Sequence, residues 1–198
     1  MCEVLCVTNR LLCRGDFTER IQRLAKAQPE GMILREKDLT ESGYKSLAGT
    51  VMEICGRYGV RCILHGFAEI AAELDAAALH LPLPLLRELP PDKRKKFTVL
   101  GASCHSAEEA REAEALGCTY IIAGHVFDTD CKKGLTGRGV EFLKQVCESV
   151  TLPVYAIGGI NAENAGQAIN AGAKGVCVMS GAMLCHEPRD YLAKFREI

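Results

Sequence analysis

"PVYAIGGINAENAGQAINAGAKGVCVMSGAM", residues 153–183, holds one complete structural unit and the start of the next. A short apolar run closes in Gly158-Gly159. An amphipathic stretch follows, with Asn161 placed to cap it and Gly172 placed to stop it, and a second apolar run then closes in Ser180-Gly181. Neither run alternates between apolar and polar residues, the pattern expected of a parallel strand covered on both faces. Two parallel strands need a crossover, and the amphipathic stretch has the length to be a helical one.

The same rhythm runs outward through the chain. Strands are expected at Glu3 to Thr8, Gly31 to Arg35, Arg61 to His65, Ala77 to Leu81, Phe97 to Ala102, Tyr120 to Gly124, Val154 to Ile157 and Gly175 to Met179. Helices are expected at Phe17 to Ala27, Ser42 to Tyr58, Ala107 to Leu116, Gly137 to Glu148, Ala162 to Ala171 and Pro188 to Glu197. In "SAEEAREAEALG", Ser106 is the N-cap, Glu109 its capping-box partner and Gly117 the stop. The weakest unit is the fourth, because the four prolines of "LPLPLLRELPPDK" forbid one regular helix. Eight βα units with no break in composition predict an α/β fold, a (β/α)8 TIM barrel spanning residues 1–198 as a single domain. A doubly wound open sheet is the alternative.

Composition agrees with a self-sufficient core. The chain has 198 residues, 48% of them apolar, and a net charge of -1, so nothing draws the whole molecule to nucleic acid or an anionic membrane. The run Lys93 to Lys96 reads as a solvated loop. No apolar run reaches about 18 residues and the start has no basic-then-apolar leader, so a cytoplasmic protein is expected. Eleven cysteines, an odd number with neither CxxC pairs nor paired Cys/His spacing, argue against both a disulfide framework and structural zinc. Cys62, Cys118 and Cys177 read as small core residues.

In a barrel, the loops after the strands share one face and chemistry collects there. The glycine and serine ends of strands seven and eight, Gly158, Gly159, Ser180 and Gly181, suit a phosphate, because small residues let backbone N–H groups approach an anion. Arg35 and Lys37 alternate at the end of strand two, so both side chains point the same way and suit an anionic ligand. Their other reading is a surface cluster paired with Glu36 and Asp38. Lys132 would add a third cation. His125 follows strand six directly on the same rim, and imidazole titrates nearest neutrality, so it is the candidate proton-transfer group. His105 and His65 also sit at strand ends and rank below it, in less polar surroundings. Cys131 would be a nucleophile only if Lys132 lowered its pKa.

"ILREKDL" (33–39), "YIIAGHVFDTDCKKGLTGRG" (120–139), "PVYAIGGIN" (153–161) and "AGAKGVCVMSG" (171–181) resemble the thiamine phosphate synthase superfamily, in order and over essentially the whole chain. "GHVFDTDCKKG" followed by "GRG" is most similar to its TenI branch. The resemblance implies a (β/α)8 barrel.

Synthases of this type join a pyrimidine diphosphate to a thiazole phosphate with magnesium. Their strand-two motif, Gln-x-Arg-x-Lys, reads Ile33, Arg35 and Lys37 here. Their Asn-Asp at strand three reads His65-Gly66, and their His-Leu-Gly-Gln-x-Asp at strand four reads "HLPLPLL". Their Phe-x-Thr-x-Thr-Lys reads Phe127, Thr129, Cys131 and Lys132, which makes Thr129 and Lys132 substrate contacts by resemblance. The lost amides and acids are the hard oxygen ligands that magnesium requires.

The TenI branch instead implies a thiazole tautomerase that needs no metal and no cofactor. Its catalytic histidine falls on His125, and its substrate is a thiazole phosphate carboxylate. A homodimer is common among such relatives. Two other functions stay open: thiamine phosphate synthase, and a regulatory protein that binds thiazole phosphate without turnover.

Overall fold

Eight strands close on themselves in sequence order, each parallel to its neighbours, with β8 pairing back onto β1. The computed structural model describes residues 2–129 and 134–198. The strands are β1 (Glu3–Val7), β2 (Gly31–Leu34), β3 (Arg61–His65), β4 (Ala78–Pro82), β5 (Val99–Cys104), β6 (Tyr120–Gly124), β7 (Val154–Ile157) and β8 (Gly175–Val178). The open doubly wound alternative is therefore excluded. Each expected strand is present within two residues of its expected ends, because a fully buried strand advertises itself as an unbroken apolar run.

The two faces of that run do different work. In β1, Val4 and Cys6 join the layer between sheet and helices, while Leu5 and Val7 join a second cluster inside the barrel. Ile33, Ile63, Ile122 and Cys177 complete much of the inner cluster. Tyr120 is its largest constraint. A Cβ at Gly101, on the neighbouring strand, would lie 2.1 Å from the Tyr120 ring and 2.6 Å from its hydroxyl, so this glycine is the space the ring occupies.

The helices are α1 (Phe17–Lys26), α2 (Glu41–Arg57), α3 (Ala68–Glu73), α4 (Leu83–Glu88), α5 (Pro91–Arg94), α6 (Ala107–Ala115), α7 (Gly139–Ser149), α8 (Ala165–Asn170), α9 (Ser180–Leu184) and α10 (Pro188–Arg196). The proline-rich fourth unit resolves into α4 and α5, each with proline in its first turn, where the missing N–H has no helical partner to lose. The basic run is accordingly half helical, and Lys93 pairs with Glu69.

Two expected caps differ in detail. Ser106 caps α6 through the Glu109 N–H, but the Glu109 carboxylate accepts from the His105 N–H at 2.6 Å, one residue earlier than a capping box requires. Asn161 does not cap α8. Its side chain accepts from the N–H groups of Glu163 and Asn164, closing a turn that delays the helix to Ala165. Among the described residues no helix is long and apolar enough to cross a membrane.

Replacing Gly101 by alanine forces the Tyr120 ring to move within a filled barrel. The expected loss is about 1–3 kcal/mol in urea denaturation. The same shift should perturb the His80 ring signals in an NMR spectrum, because Tyr120 and His80 are hydrogen-bonded.

Candidate active site

The carboxyl ends of the strands open into one cavity of about 320 Å³. That size suits a small heterocycle carrying one or two anionic groups. Arg35, Lys37, His125, Thr129, Gly158, Gly159, Ser180 and Gly181 all line it, so residues dispersed through the sequence converge on one basin. Lys132 and Cys131 lie outside the described residues.

On the β6–β7 side, the chain after each strand lies against the other. The Val126 N–H donates to the Ile157 carbonyl at 2.8 Å and the Phe127 N–H to the Gly158 carbonyl at 3.0 Å. Gly158 and Gly159 have φ of +102° and +64°, a region that side chains disfavour. A Cβ on Gly158 would lie 2.3 Å from the His125 Cβ, and one on Gly159 would lie 2.3 Å from the Asp128 carbonyl oxygen. The glycines thus set His125 hard against the cradle they form. Ser180 and Gly181 open α9, whose first N–H groups have no acceptor within the helix.

His125 is buried. Its Nε2 lies 3.3 Å from the Leu135 carbonyl oxygen, which can only accept, so the neutral ring carries its proton there. Nδ1 is then the lone-pair nitrogen, and it is buried without a hydrogen-bond partner among the described residues. A buried acceptor without a partner costs about 1–3 kcal/mol, which a site tolerates when that atom has chemistry to perform.

The opposite wall, at the ends of β2, β3 and β4, is built from imidazoles and cations. The expected alternative for Arg35 and Lys37, pairing with Glu36 and Asp38, is not what forms. Glu36 is buried, accepts from the Thr8 hydroxyl at 2.6 Å and takes the Arg10 N–H at 2.9 Å. Asp38 pairs with the Arg10 guanidinium. Thr8 also accepts from the Arg35 N–H at 3.0 Å, so the buried carboxylate anchors the strand end that carries both cations. Burial raises the Glu36 pKa, against the lowering effect of the Thr8 and Arg10 hydrogen bonds.

Sequence reasoning ranked His65 low, took Glu36 only as a surface ion-pair partner, and passed over His80, Tyr44 and Tyr120. His80 lines the cavity and is held on both nitrogens, by the Tyr120 hydroxyl at 3.0 Å and the Ser103 hydroxyl at 2.8 Å. Its ring stacks on His65 with centroids 5.6 Å apart. The Tyr44 hydroxyl donates to the Leu34 carbonyl and accepts from the His65 N–H, tying the ends of β2 and β3 together. His105 donates through Nδ1 to the Gly124 carbonyl at 2.6 Å. The available signal was position alone, since His65 ends β3 and His105 follows β5, while His80 lies within β4.

A family model described as thiamine monophosphate synthase matches residues 4–182. The chain belongs to the thiamine monophosphate synthase family. It is 35% identical to the thiamine-phosphate synthase of Fusobacterium nucleatum over 92% of its length and 89% of that protein. It is 33% identical to the thiamine-phosphate synthase of Clostridium acetobutylicum over 93% of its length and 88% of that protein. Its fold superposes on a thiamine phosphate pyrophosphorylase from Pyrococcus furiosus with a TM-score of 0.84 and 28% identity, covering 98% of this chain and 94% of that one.

Magnesium requires hard oxygen ligands. The described cavity wall carries no carboxylate, and at the ends of β3 and β4 it presents His65, His80 and Pro82 beside Arg35 and Lys37. These residues do not fit that ion.

Burial, with Arg35 and Lys37 adding to it, holds the His65 imidazole down at about 4 from its ordinary 6.5. Burial holds His80 well below its ordinary value too. Both rings are neutral in the folded protein at pH 7, whereas an unfolded chain protonates them as pH falls below 6.5. The contribution of these two rings is therefore fully present above 6.5 and lost as pH falls from 6.5 towards 4, with His65 alone accounting for about 3 kcal/mol. Denaturation curves at pH 7 and pH 5 should show part of this loss, about 2 kcal/mol from His65, and His65→Asn should reduce it.

Proposed function

We propose that this protein is an enzyme of thiamine biosynthesis that binds a thiazole phosphate carboxylate and isomerises it from the exocyclic-alkene form to the aromatic form. The observation that carries this reading is the buried His125 imidazole, with an unpartnered Nδ1, packed against the Gly158-Gly159 turn in the one cavity that also holds Arg35 and Lys37.

The chemistry is a proton shift with no net change in composition. A proton leaves C2 of the dihydrothiazole, the electron pair moves through the ring, and a proton is delivered to the exocyclic carbon. Aromatisation supplies the driving force. The protein has to orient the ring, hold its two anionic ends and move a proton.

Gly158, Gly159, Ser180 and Gly181 receive the phosphate, while Arg35 and Lys37 receive the carboxylate, with Thr129 and Lys132 as further substrate contacts. This orientation sets the exocyclic carbon, which bears the phosphate arm, beside His125, the group that moves the proton. Proton transfer by a positioned imidazole contributes about 10²–10⁴-fold in rate. The protein needs no metal for this reaction, in keeping with the donor set of the cavity wall.

A second reading, thiamine-phosphate synthase, is favoured by the similarity to the thiamine-phosphate synthases of Fusobacterium nucleatum and Clostridium acetobutylicum. Against it stand the imidazoles and Pro82 where magnesium would need oxygen ligands.

Proton NMR of the tautomer ratio tests the first reading: His125→Gln should lower turnover about 10²–10⁴-fold with the fold intact. Undiminished turnover would remove His125 from the mechanism. Incubation with pyrimidine diphosphate, thiazole phosphate and magnesium tests the second. Rapid formation of the coupled product, with no isomerisation, would replace the first reading by the synthase. Tight binding of the thiazole with neither reaction would leave a non-catalytic binding protein.

A further inference from the structure

A chain of hydrogen bonds leads from the interior of the barrel to the cavity. The Tyr120 hydroxyl lies 3.0 Å from His80 Nδ1, and His80 Nε2 lies 2.8 Å from the hydroxyl of Ser103, which lines the basin. Tyr120 and His80 are buried, while Ser103 is only partly so. Each of the three groups can donate and accept, so the distances alone leave the direction of the chain open.

The inner end decides it. A phenol has one proton, and the Tyr120 hydroxyl has no hydrogen-bond partner other than His80 among the described residues. Were His80 to donate from Nδ1, the phenol proton would be buried without an acceptor, which disfavours that arrangement about 5- to 150-fold in population. Tyr120 therefore donates to Nδ1. The neutral imidazole carries its proton on Nε2 and donates it to the Ser103 oxygen, and the Ser103 proton is left to point into the basin. Burial keeps the phenol protonated and the imidazole neutral, so no charged form of the chain competes near pH 7.

We propose that Ser103 is a ligand-binding residue that donates its hydroxyl proton to an uncharged acceptor, the unprotonated ring nitrogen of a heteroaromatic ligand, and that Tyr120, acting through His80, is the positioning residue that sets this direction.

The class of ligand follows from the class of donor. The three groups form a line of aligned dipoles with no net charge, in which each bond strengthens the next. Around the barrel, β5 lies between β2, which Arg35 follows, and β7, which runs into the Gly158-Gly159 turn. Those two sides suit the charged ends of a ligand, and Ser103 meets the ring that spans them. A chain running the other way would present the basin with the Ser103 lone pairs, which repel such a nitrogen. A thiazole and a pyrimidine both carry one, so Ser103 has the same role whichever reaction the site performs; the choice of a thiazole as ligand rests on the reading proposed above.

Nitrogen-15 NMR of the full chain reads the direction, because the two nitrogens of a neutral imidazole differ in shift according to which bears the proton. The His80 ring, assigned through its own backbone, should carry its proton on Nε2. Tyr120→Phe and Ser103→Ala each delete one oxygen and leave the carbon packing in place. Tyr120→Phe should raise the share of the Nδ1-protonated ring about 5-fold or more, a change that a merely structural role would not produce. Binding of the aromatic carboxythiazole phosphate, followed by titration calorimetry at pH 7, should weaken about 3–10-fold in Ser103→Ala and by a smaller factor in Tyr120→Phe.

A wild-type His80 protonated on Nδ1 would overturn the inference, as would a tautomer unmoved by Tyr120→Phe or a Ser103→Ala variant that binds the thiazole as tightly as the wild type. Each of these outcomes leaves isomerisation, which rests on His125, intact. A wild type that does not bind this thiazole would overturn the ring-nitrogen acceptor together with the thiazole reading, and the His80 tautomer would still report separately on the relay.

Discussion

The close approach of the chain after β6 to the chain after β7 is the constraint on which the site depends. Two backbone hydrogen bonds, from Val126 to Ile157 and from Phe127 to Gly158, continue the pairing of the strands beyond their ends. They form only because Gly158 and Gly159 offer no Cβ to the His125 Cβ and the Asp128 carbonyl. Gly124 makes the same concession from the other strand, since a Cβ there would lie 2.4 Å from the Ile157 side chain. A glycine-rich strand end in a barrel is usually explained by its ligand. Here protein packing already demands these glycines, and any anion-binding amides are exposed by the same turn that seats the imidazole. His125 and the Gly158-Gly159 turn are thus one piece of backbone geometry.

The second constraint is electrostatic. A buried carboxylate is stable only with donors around it, and Glu36 has them in Thr8 and the Arg10 N–H. That arrangement turns Glu36 away from the cavity. It also ties the Arg35 N–H to Thr8, so the strand end carrying the cations is anchored from behind. Were Glu36 turned inward, it would set a carboxylate beside Arg35 and Lys37 in the basin. The alternation Arg-Glu-Lys therefore works through strand geometry: neighbours point to opposite faces, and only the cations reach the basin.

How much of this was legible in the sequence follows from which interactions are local. Strand positions were readable because continuous burial writes itself as unbroken apolar runs, and Ser106, Gly117 and Gly172 were readable because caps act within a turn. The start of α8 was misjudged because Asn161 and Asn164 close a turn of their own first. The inner polar groups were not readable. Tyr44 looks like one more apolar-face residue of α2, and Tyr120 like the first residue of an oily strand. Their hydroxyls acquire meaning only when β3 and β4 arrive with partners 21 and 40 residues away in sequence. The placement of His125 on the cavity rim was readable because it directly follows an unbroken apolar strand.

The histidines at positions 65 and 80 bear on why one barrel can serve two chemistries. The fold fixes where strand ends point but leaves open what they carry. A wall with acids and amides can hold a divalent cation, and that cation can bind a diphosphate leaving group. A wall of imidazoles and cations has no use for the metal and must balance an anion with its own charge. Two buried imidazoles held neutral make such a wall tolerable when empty, since four permanent cations crowded into one corner would destabilise the barrel by mutual repulsion. Neutral rings beside Arg35 and Lys37 add no further positive charge to that corner near pH 7. Under the proposed reading, nitrogen bases on β3 and β4 in place of oxygen ligands would suit a site that holds an anion and moves protons rather than one that binds a metal.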